Sequence, residues 1–391
     1  GDDCEWVSQS ERLGTGHALI QAMPKLADMD CILVLYGDIP LIRAETLTRL
    51  LTSAANGSLA ILTAKLTHPS GYGRIVRGHE GQVLSIVEEK DASHAELGIN
   101  EINTGFLVAD RICLDDWLAR LDNVNAQGEY YLTDIVALAV AEGRTVTTCL
   151  ADSEEEILGI NDRMQLADLE RRYQQRCAKE LMRSGVTLLD PTRFDVRGQL
   201  KAGRDVTIDI NCLFEGEVEL GDGVTIGPNC QLKNCAIGAN SRVLANSVIE
   251  EAKVGQDTQI GPFARLRPQA EIADGAHIGN FVEIKKAHIG PATKVSHLTY
   301  IGDAHIGCNV NIGAGTITCN YDGVNKHLTQ IGDGAFIGSN TALVAPVTVG
   351  AGATIGAGSV ICRHAPAEKL TLTRASQRTL DHWIRPDKKI K

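Results

Sequence analysis

From about Leu220 onward an aliphatic residue returns at every sixth position, and neither a helix nor a simple strand can use that spacing. One frame is Leu220, Ile226, Leu232; a second is Val254, Ile260, Leu266, Ile272, Ile278, Ile284. Others are Ile289, Val295, Ile301, then Ile306 and Ile312, then Ile331, Ile337, Leu343, Val349, Ile355, Ile361. A period of six drifts around a helix of 3.6 residues per turn, and a strand would alternate at two. A rung satisfies the pattern: a short strand, one inward aliphatic, and a corner where a residue such as Gly261, Gly279 or Gly338 lets the backbone turn. Three rungs close a triangular coil, and stacked coils bury one aliphatic column. Scarce aromatics (4%) and abundant glycine (39) suit such a core.

The frames slip at defined points. Between Ile312 and Ile331 the repeat opens into TITCNYDGVNKHLTQ. A loop of that length leaves a solenoid at one corner, and such loops carry function. The repeat resembles that of the hexapeptide-repeat acyltransferases, which implies a left-handed coil and a homotrimer.

Composition narrows the function. A net charge of -11 excludes a nucleic-acid surface as the main business, while a local basic pocket for a small phosphorylated ligand stays open. The 11 cysteines are scattered, with no CxxC pair, and a reduced cytoplasmic protein is the simplest reading. No apolar run approaches the ~20 residues of a membrane span, and the first residues carry no signal-peptide pattern. The sequence does not begin with Met, which reads as a fragment or a trimmed chain.

Positions 1–163 read as α/β. CILVLYGDIPL is a buried strand ending in Tyr36, Gly37 and Asp38. Ligands of open α/β sheets bind at the carboxyl ends of strands. An Asp there either caps the following turn or holds a hard cation through oxygen. LGTGHA, GYGR, VEEKDA, EINTG, GEYYLTD and GIND follow in order, and the second half holds RLRP, NFVEIKKA, HLTYIGD and NIGAGTITCNYDG. In order and spacing these resemble the bacterial bifunctional enzymes of UDP-N-acetylglucosamine synthesis, over essentially the whole chain.

That resemblance implies a Rossmann-like sugar-nucleotidyltransferase domain over residues 1–163, a helical linker over 164–184 and a left-handed parallel β-helix acetyltransferase domain over 185–391. In the linker Leu166, Leu169, Tyr173, Cys177 and Leu181 form one stripe, with Asp162 as N-cap and Gly185 as the stop. The family's GxGTRM phosphate loop does not occur in this sequence. The first βα unit is therefore expected to be missing, and this chain is expected to acetylate while forming little UDP-N-acetylglucosamine.

Acetyl transfer to an amine needs a base near neutral pH. A histidine on a solenoid exterior is ordinarily a solvated side chain, but the matching HLTY motif implies His297 as that base. Arg267 and Lys285 lie three rungs apart, one full coil, so they stack on one face. Two stacked cations call for an anion, either the amino-sugar phosphate or an acid such as Glu283. By resemblance Tyr300 and Asn311 add contacts to the sugar, and Ala314, Asn320, Tyr321, Ser339, Ala357 and Arg374 hold acetyl-CoA. In the first half the resemblance assigns Gln9, Gly14, Thr15, Tyr36, Gly37, Asp38, Gly73, Glu88, Asn103 and Asn161 to UDP-N-acetylglucosamine, and Asp38 with Asn161 to Mg²⁺. Two other readings compete: a nucleotidyltransferase whose β-helix only assembles or regulates, and a non-catalytic scaffold. The flat Thr arrays expected of the latter are not present.

Overall fold

The computed structural model describes residues 4–54 and 59–385. The chain divides into two units, Gly1–Tyr173 and Gln174–Lys391. Among the described residues no helix is long and apolar enough to cross a membrane.

The first unit is a mixed sheet flanked by helices. In chain order its elements are α1 (Thr15–Ala22), β1 (Cys31–Val34), α2 (Ala44–Ser53), β2 (Leu59–Lys65), β3 (Arg74–Arg77) and β4 (Val83–Val87). There follow α3 (His94–Leu97), β5 (Glu101–Asp110), α4 (Arg111–Ala119), α5 (Asp134–Ala141) and β6 (Val146–Leu150). The strand order is β4-β3-β5-β2-β6, with β1 also on β5. β5 runs antiparallel to β1, β2 and β3, whereas β2 and β6 are parallel. Local sequence signals set the ends of the helices. Asp110 caps α4 by accepting from Cys113 N–H at 3.0 Å, and Ser93 with Glu96 forms a capping box on α3.

The helix α6 (Arg163–Arg183) follows. Asp162 accepts from Gln165 N–H at 2.8 Å, as an N-cap does. At the other end Gly185 N–H bonds Met182 C=O and Val186 N–H bonds Leu181 C=O, with Gly185 at φ +103°. That is a Schellman stop, which needs a residue free to adopt positive φ. The buried stripe differs from the expected one at three places, one of them Ala178, which is fully buried. Leu166 is 51% exposed, while the polar Gln174 is buried at 2%. Gln174 is tolerated because its amide is satisfied. It donates to Val196 C=O and accepts from Val196 N–H, each at 2.8 Å, and so acts as a strand partner for the first coils of the solenoid.

The second unit is a parallel β-helix. Every coil-to-coil pairing from Thr187 to Thr371 is parallel. Arg265 pairs with Glu283, three full rungs on, whereas His277 pairs with Lys294, one position short of three rungs. The frame slips in the sequence are these shorter coils. His305 pairs with Gln330, so the NYDG loop lengthens that coil by more than a whole rung. The inward Ile, Val and Leu side chains form one buried column. Small residues fill the positions beside the corners. The hydroxyls of Thr293, Thr316, Thr341 and Ser359 are buried there and each donates to a corner glycine carbonyl. Buried polar groups persist only when paired in this way.

Gln174 pairs both backbone groups of Val196 in the first coils. Gln174→Ala leaves the Val196 N–H and C=O buried and unpaired, at about 1–3 kcal/mol for each stranded group. The expected result in urea unfolding of the β-helix is a loss of about 2 kcal/mol with an unchanged m-value. A variant within about 0.5 kcal/mol of the parent would mean that water replaces the amide without cost.

Candidate functional site

In the first unit the sheet register builds a cleft. β1 ends at Val34, which pairs with Leu107 of the antiparallel β5. The start of β5 therefore rises at the end of the sheet where Tyr36, Gly37 and Asp38 leave β1. Tyr36 lies across Gly105, where a Cβ would run into the ring and where φ is +85°. Only glycine suits both demands. Asn103 N–H donates to Gly73 C=O at 2.9 Å, and Ile160 N–H donates to Asp38 C=O at 2.9 Å, which carries Asn161 to Asp38. The resulting cleft of about 590 Å³ is lined by Thr15, Tyr36, Asp38, Gly73, Glu88, Asn103 and Asn161. Gln9 and Gly14 are not among its lining residues; the Gln9 amide donates to Gly14 C=O at 3.2 Å, next to the lining Thr15. Gly37 leaves open space where a Cβ would stand.

The electrostatics of the cleft are those of a partly dry site. Burial raises the Glu88 carboxyl above its ordinary value, against the hydrogen bond from Thr133 at 3.1 Å. Asp134, at the start of α5, is pushed up to about 6, first by burial and then by Asp122, Glu88 and Asp91. Asp38 and Asn161 offer a carboxylate and an amide oxygen, the hard donors that Mg²⁺ prefers. Among the described residues no group of three or more His, Cys, Asp or Glu could hold a metal. A two-oxygen set that leaves the remaining positions to phosphate and water fits that ion, whose usual protein ligands are few.

In the second unit most of the candidate residues fall on two corners of the solenoid. At one corner Asn280 and His297 are paired in adjacent coils. His297 Nδ1 lies 2.7 Å from Asn280 Oδ1. An amide oxygen only accepts, so this contact favours the tautomer with the proton on Nδ1, in which Nε2 carries the lone pair of the neutral ring. The same corner continues upward through Ala314, Ser339 and Ala357. Gly315 N–H bonds His297 C=O, Asn340 N–H bonds Ala314 C=O, and Gly358 N–H bonds Ser339 C=O. Three coil steps of about 4.8 Å give a straight track of roughly 14 Å above His297. The Arg374 guanidinium rests against Gly356 at its upper end.

The next corner, across one flat face, gathers cations. Lys285 stacks on the coil of Arg267, and Gly302 stacks on Lys285. The Tyr300 hydroxyl folds over Gly302, so it points to this corner. Arg267 pairs with Glu283 at 2.7 Å. The acid weighed from sequence therefore takes one of the two cations and leaves Lys285. The Lys326 ammonium, brought by the NYDG loop, lies beside Lys285 and with Arg267 holds it below its ordinary value. Asn311 stands apart on another face, paired with Lys294. Asn320 is buried, and its amide donates to Asp303 at 2.6 Å, while Tyr321 is exposed at the loop tip.

Two of these residues escaped the sequence reading. Asn280 stands one of the shorter coils before His297, so the frame slip was its signal. Lys326 lies in the loop, where no periodicity could place it.

Residues 3–156 match the family model described as Nucleotidyl transferase. Residues 251–286 and 328–363 match the one described as Bacterial transferase hexapeptide (six repeats). Fold and matches together define a two-part transferase, a nucleotidyltransferase unit followed by a hexapeptide-repeat β-helix. Over 389 residues, all of this chain and 85% of the relative, the sequence is 57% identical to the Bifunctional protein GlmU of Idiomarina loihiensis. The protein of the same name from Methylococcus capsulatus is 57% identical over 98% of this chain and 83% of its own length. That of Aromatoleum aromaticum is 56% identical over 98% and 85%. The chain belongs to the GlmU family.

The Asn280 contact predicts a tautomer. In ¹⁵N NMR of the neutral imidazole, His297 of the parent protein should carry its proton on Nδ1. Asn280→Ala should shift the population toward the Nε2–H form, the default of a free ring. An unchanged tautomer ratio in the variant would show that the contact does not fix the ring.

Proposed function

We propose that the β-helix of this chain transfers the acetyl group of acetyl-CoA to the amine of glucosamine 1-phosphate. The α/β cleft takes the N-acetylated sugar phosphate for coupling to UTP with release of pyrophosphate. The observation that carries the first activity is the single corner on which an oriented histidine stands beneath a straight track of small residues. A β-helix that only assembled or regulated would have no use for either feature.

The chemistry follows from placement. The acetyl-CoA arm lies along Ala314, Ser339 and Ala357, where small side chains let it approach the backbone, and Arg374 meets a CoA phosphate. Arg267, Lys285 and Lys326 hold the sugar phosphate, with the Tyr300 hydroxyl beside it and Asn311 on the sugar. Asn320 and Tyr321 complete the acetyl-CoA contacts from the loop. His297 Nε2 takes the proton that the ammonium loses as nitrogen attacks the thioester carbonyl, and the CoA thiol leaves. In the cleft Gln9, Gly14 and Thr15 lie toward the uracil, while Tyr36, Gly37, Gly73, Glu88 and Asn103 surround the sugar and ribose. Asp38 and Asn161 hold Mg²⁺, which when bound neutralises charge at the reacting phosphates. The free cysteines suit a reducing cytoplasm.

One chain alone splits this acetyl-transfer site. His297 and the acetyl-CoA track are on one corner, while Lys285 and the NYDG loop are on the next, about five extended residues or 16 Å along the chain. A small substrate touches both groups when the first corner of one copy meets the second corner of another. Such a heterologous contact closes into a ring, and a homotrimer is the ring we propose. Phe263, Phe281 and Leu298 form an exposed apolar ridge beside His297, with the two Phe rings stacked at 5.2 Å, as a covered face would.

Two measurements test this. His297→Ala should keep fold and assembly, because an outward side chain adds little to the column. Thiol release should fall by ~10²–10⁴, mainly in kcat, with a residual rate that rises with pH as more substrate amine is neutral. Near-parent kcat across pH would remove His297 from the mechanism. Separately, His297→Ala and Lys285→Ala proteins, each inactive alone, should regain activity when co-refolded. Random mixing yields about a quarter of seams with both corners intact. No recovery in mixed oligomers would place the whole site on one chain.

A further inference from the structure

Lys326 presents a physical problem that the sequence around it solves. It stands on a surface loop beside Lys285, in a cavity it lines with Lys286 and Asp303, and it acts on Lys285 as a like charge that Asp303 only partly opposes. A lysine on a loose loop would swing away from such neighbours into water, and holding it there before an anion arrives requires a stiff support.

The support is built around Asp322. Its Oδ1 accepts from Val324 N–H at 2.8 Å and Asn325 N–H at 2.6 Å, and its Oδ2 lies 2.7 Å from His327 Nε2. These three donors hold the carboxyl well below the usual carboxylate range. Around this knot the chain closes on itself. Asp322 N–H donates to Asn325 C=O at 3.1 Å and His327 N–H to Asn320 C=O at 2.8 Å, and Tyr321 pairs with Lys326 as an antiparallel bridge. The base of the loop is fixed by Asn320 to the buried Asp303, which also meets Lys286 at 3.5 Å. Asp322 itself is half exposed, and Val324, Asn325 and His327, which hold it, all belong to its own loop.

We infer that Asp322, clamped by His327, is a positioning residue that holds Lys326 at the sugar-phosphate corner against the repulsion of Lys285. This rests on the acetyltransferase reading for the identity of the anion, glucosamine 1-phosphate, but not for the geometry. The effect belongs to ground-state binding. A preorganised cation lowers the cost of ordering the loop around the ligand, so its loss appears in affinity and KM rather than in kcat.

The test is direct binding of glucosamine 1-phosphate by calorimetry, with thiol release from acetyl-CoA measured separately. Asp322→Ala should weaken binding by about tenfold and raise KM to match, with kcat within about threefold and an unchanged melting temperature. His327→Ala should show a smaller loss. His327→Gln, which keeps an N–H donor, should bind nearly as the parent does. In a Lys326→Ala background Asp322→Ala should add nothing, because both changes remove the same cation from the corner. Parent-like binding by Asp322→Ala, or an equal further loss in the Lys326→Ala background, would overturn the inference. Binding without any thiol release by the parent would instead refute the acetyltransferase reading and leave the positioning role intact.

Discussion

Everything in the second unit depends on the inward aliphatic column. Each coil can stack on the next only if an Ile, Val or Leu meets its counterpart one coil below, and these side chains are nearly all fully buried. At ~25 cal/mol per Å² of apolar surface the column is the dominant favourable term, and it acts on register as much as on stability. A one-residue slip would turn aliphatics outward and corner residues inward. The stacking that results puts residues one coil apart within reach of one another. Asn280 under His297 and Arg267 under Lys285 are contacts that the column dictates, although neither side chain belongs to it.

Register also governs the first unit, by a different route. There the antiparallel run of β5 against β1 matters most, because it returns the EINTG segment to the end of the sheet where YGD leaves. Asn103 and Asp38 are far apart in sequence yet line one cleft. The close fit of Tyr36 over Gly105 shows how little slack the arrangement has: any side chain at 105 would displace the ring.

Much of this was legible in the sequence because the repeat is both a fold signal and a ruler. Period six fixed the rung, and the break between Ile312 and Ile331 marked the long loop. Asp162 and Gly185 were readable as helix signals because capping is a local matter of one side-chain oxygen and one positive φ. What was not legible required knowledge of neighbours. Gln174 lies outside the apolar stripe, and only the fold shows that it pairs with Val196. Leu166 looked like a core residue because a helical stripe says which side chains share a face, but not how far along the helix that face remains covered. Lys326 was hidden because a loop outside the repeat has no period, so its approach to Lys285 follows from hydrogen bonds within the loop.

On the proposed reading, the corner beside His297 suits group transfer between a long co-substrate and a small one. A corner repeats at a fixed rise, so one edge of the prism offers a straight bed on which an extended thioester arm can lie with its reactive end at a chosen coil. Corners also demand positive φ, and glycine or asparagine meets that demand at little cost at most of them. Phe263, Phe281 and Leu298 depart from that pattern, with φ of 54°, 57° and 49° on three successive coils. Bulky residues in the left-handed region cost on the order of 1 kcal/mol or more each. Here they also leave apolar surface exposed, so the isolated chain gains neither conformational ease nor burial from them. Both costs are offset together if a second copy covers the ridge, and that contact would bring a foreign cationic corner toward the Nε2 of His297. In the homotrimer proposed above, the strain and the exposure of the ridge would share one physical cause, a surface shaped to be covered by a second copy.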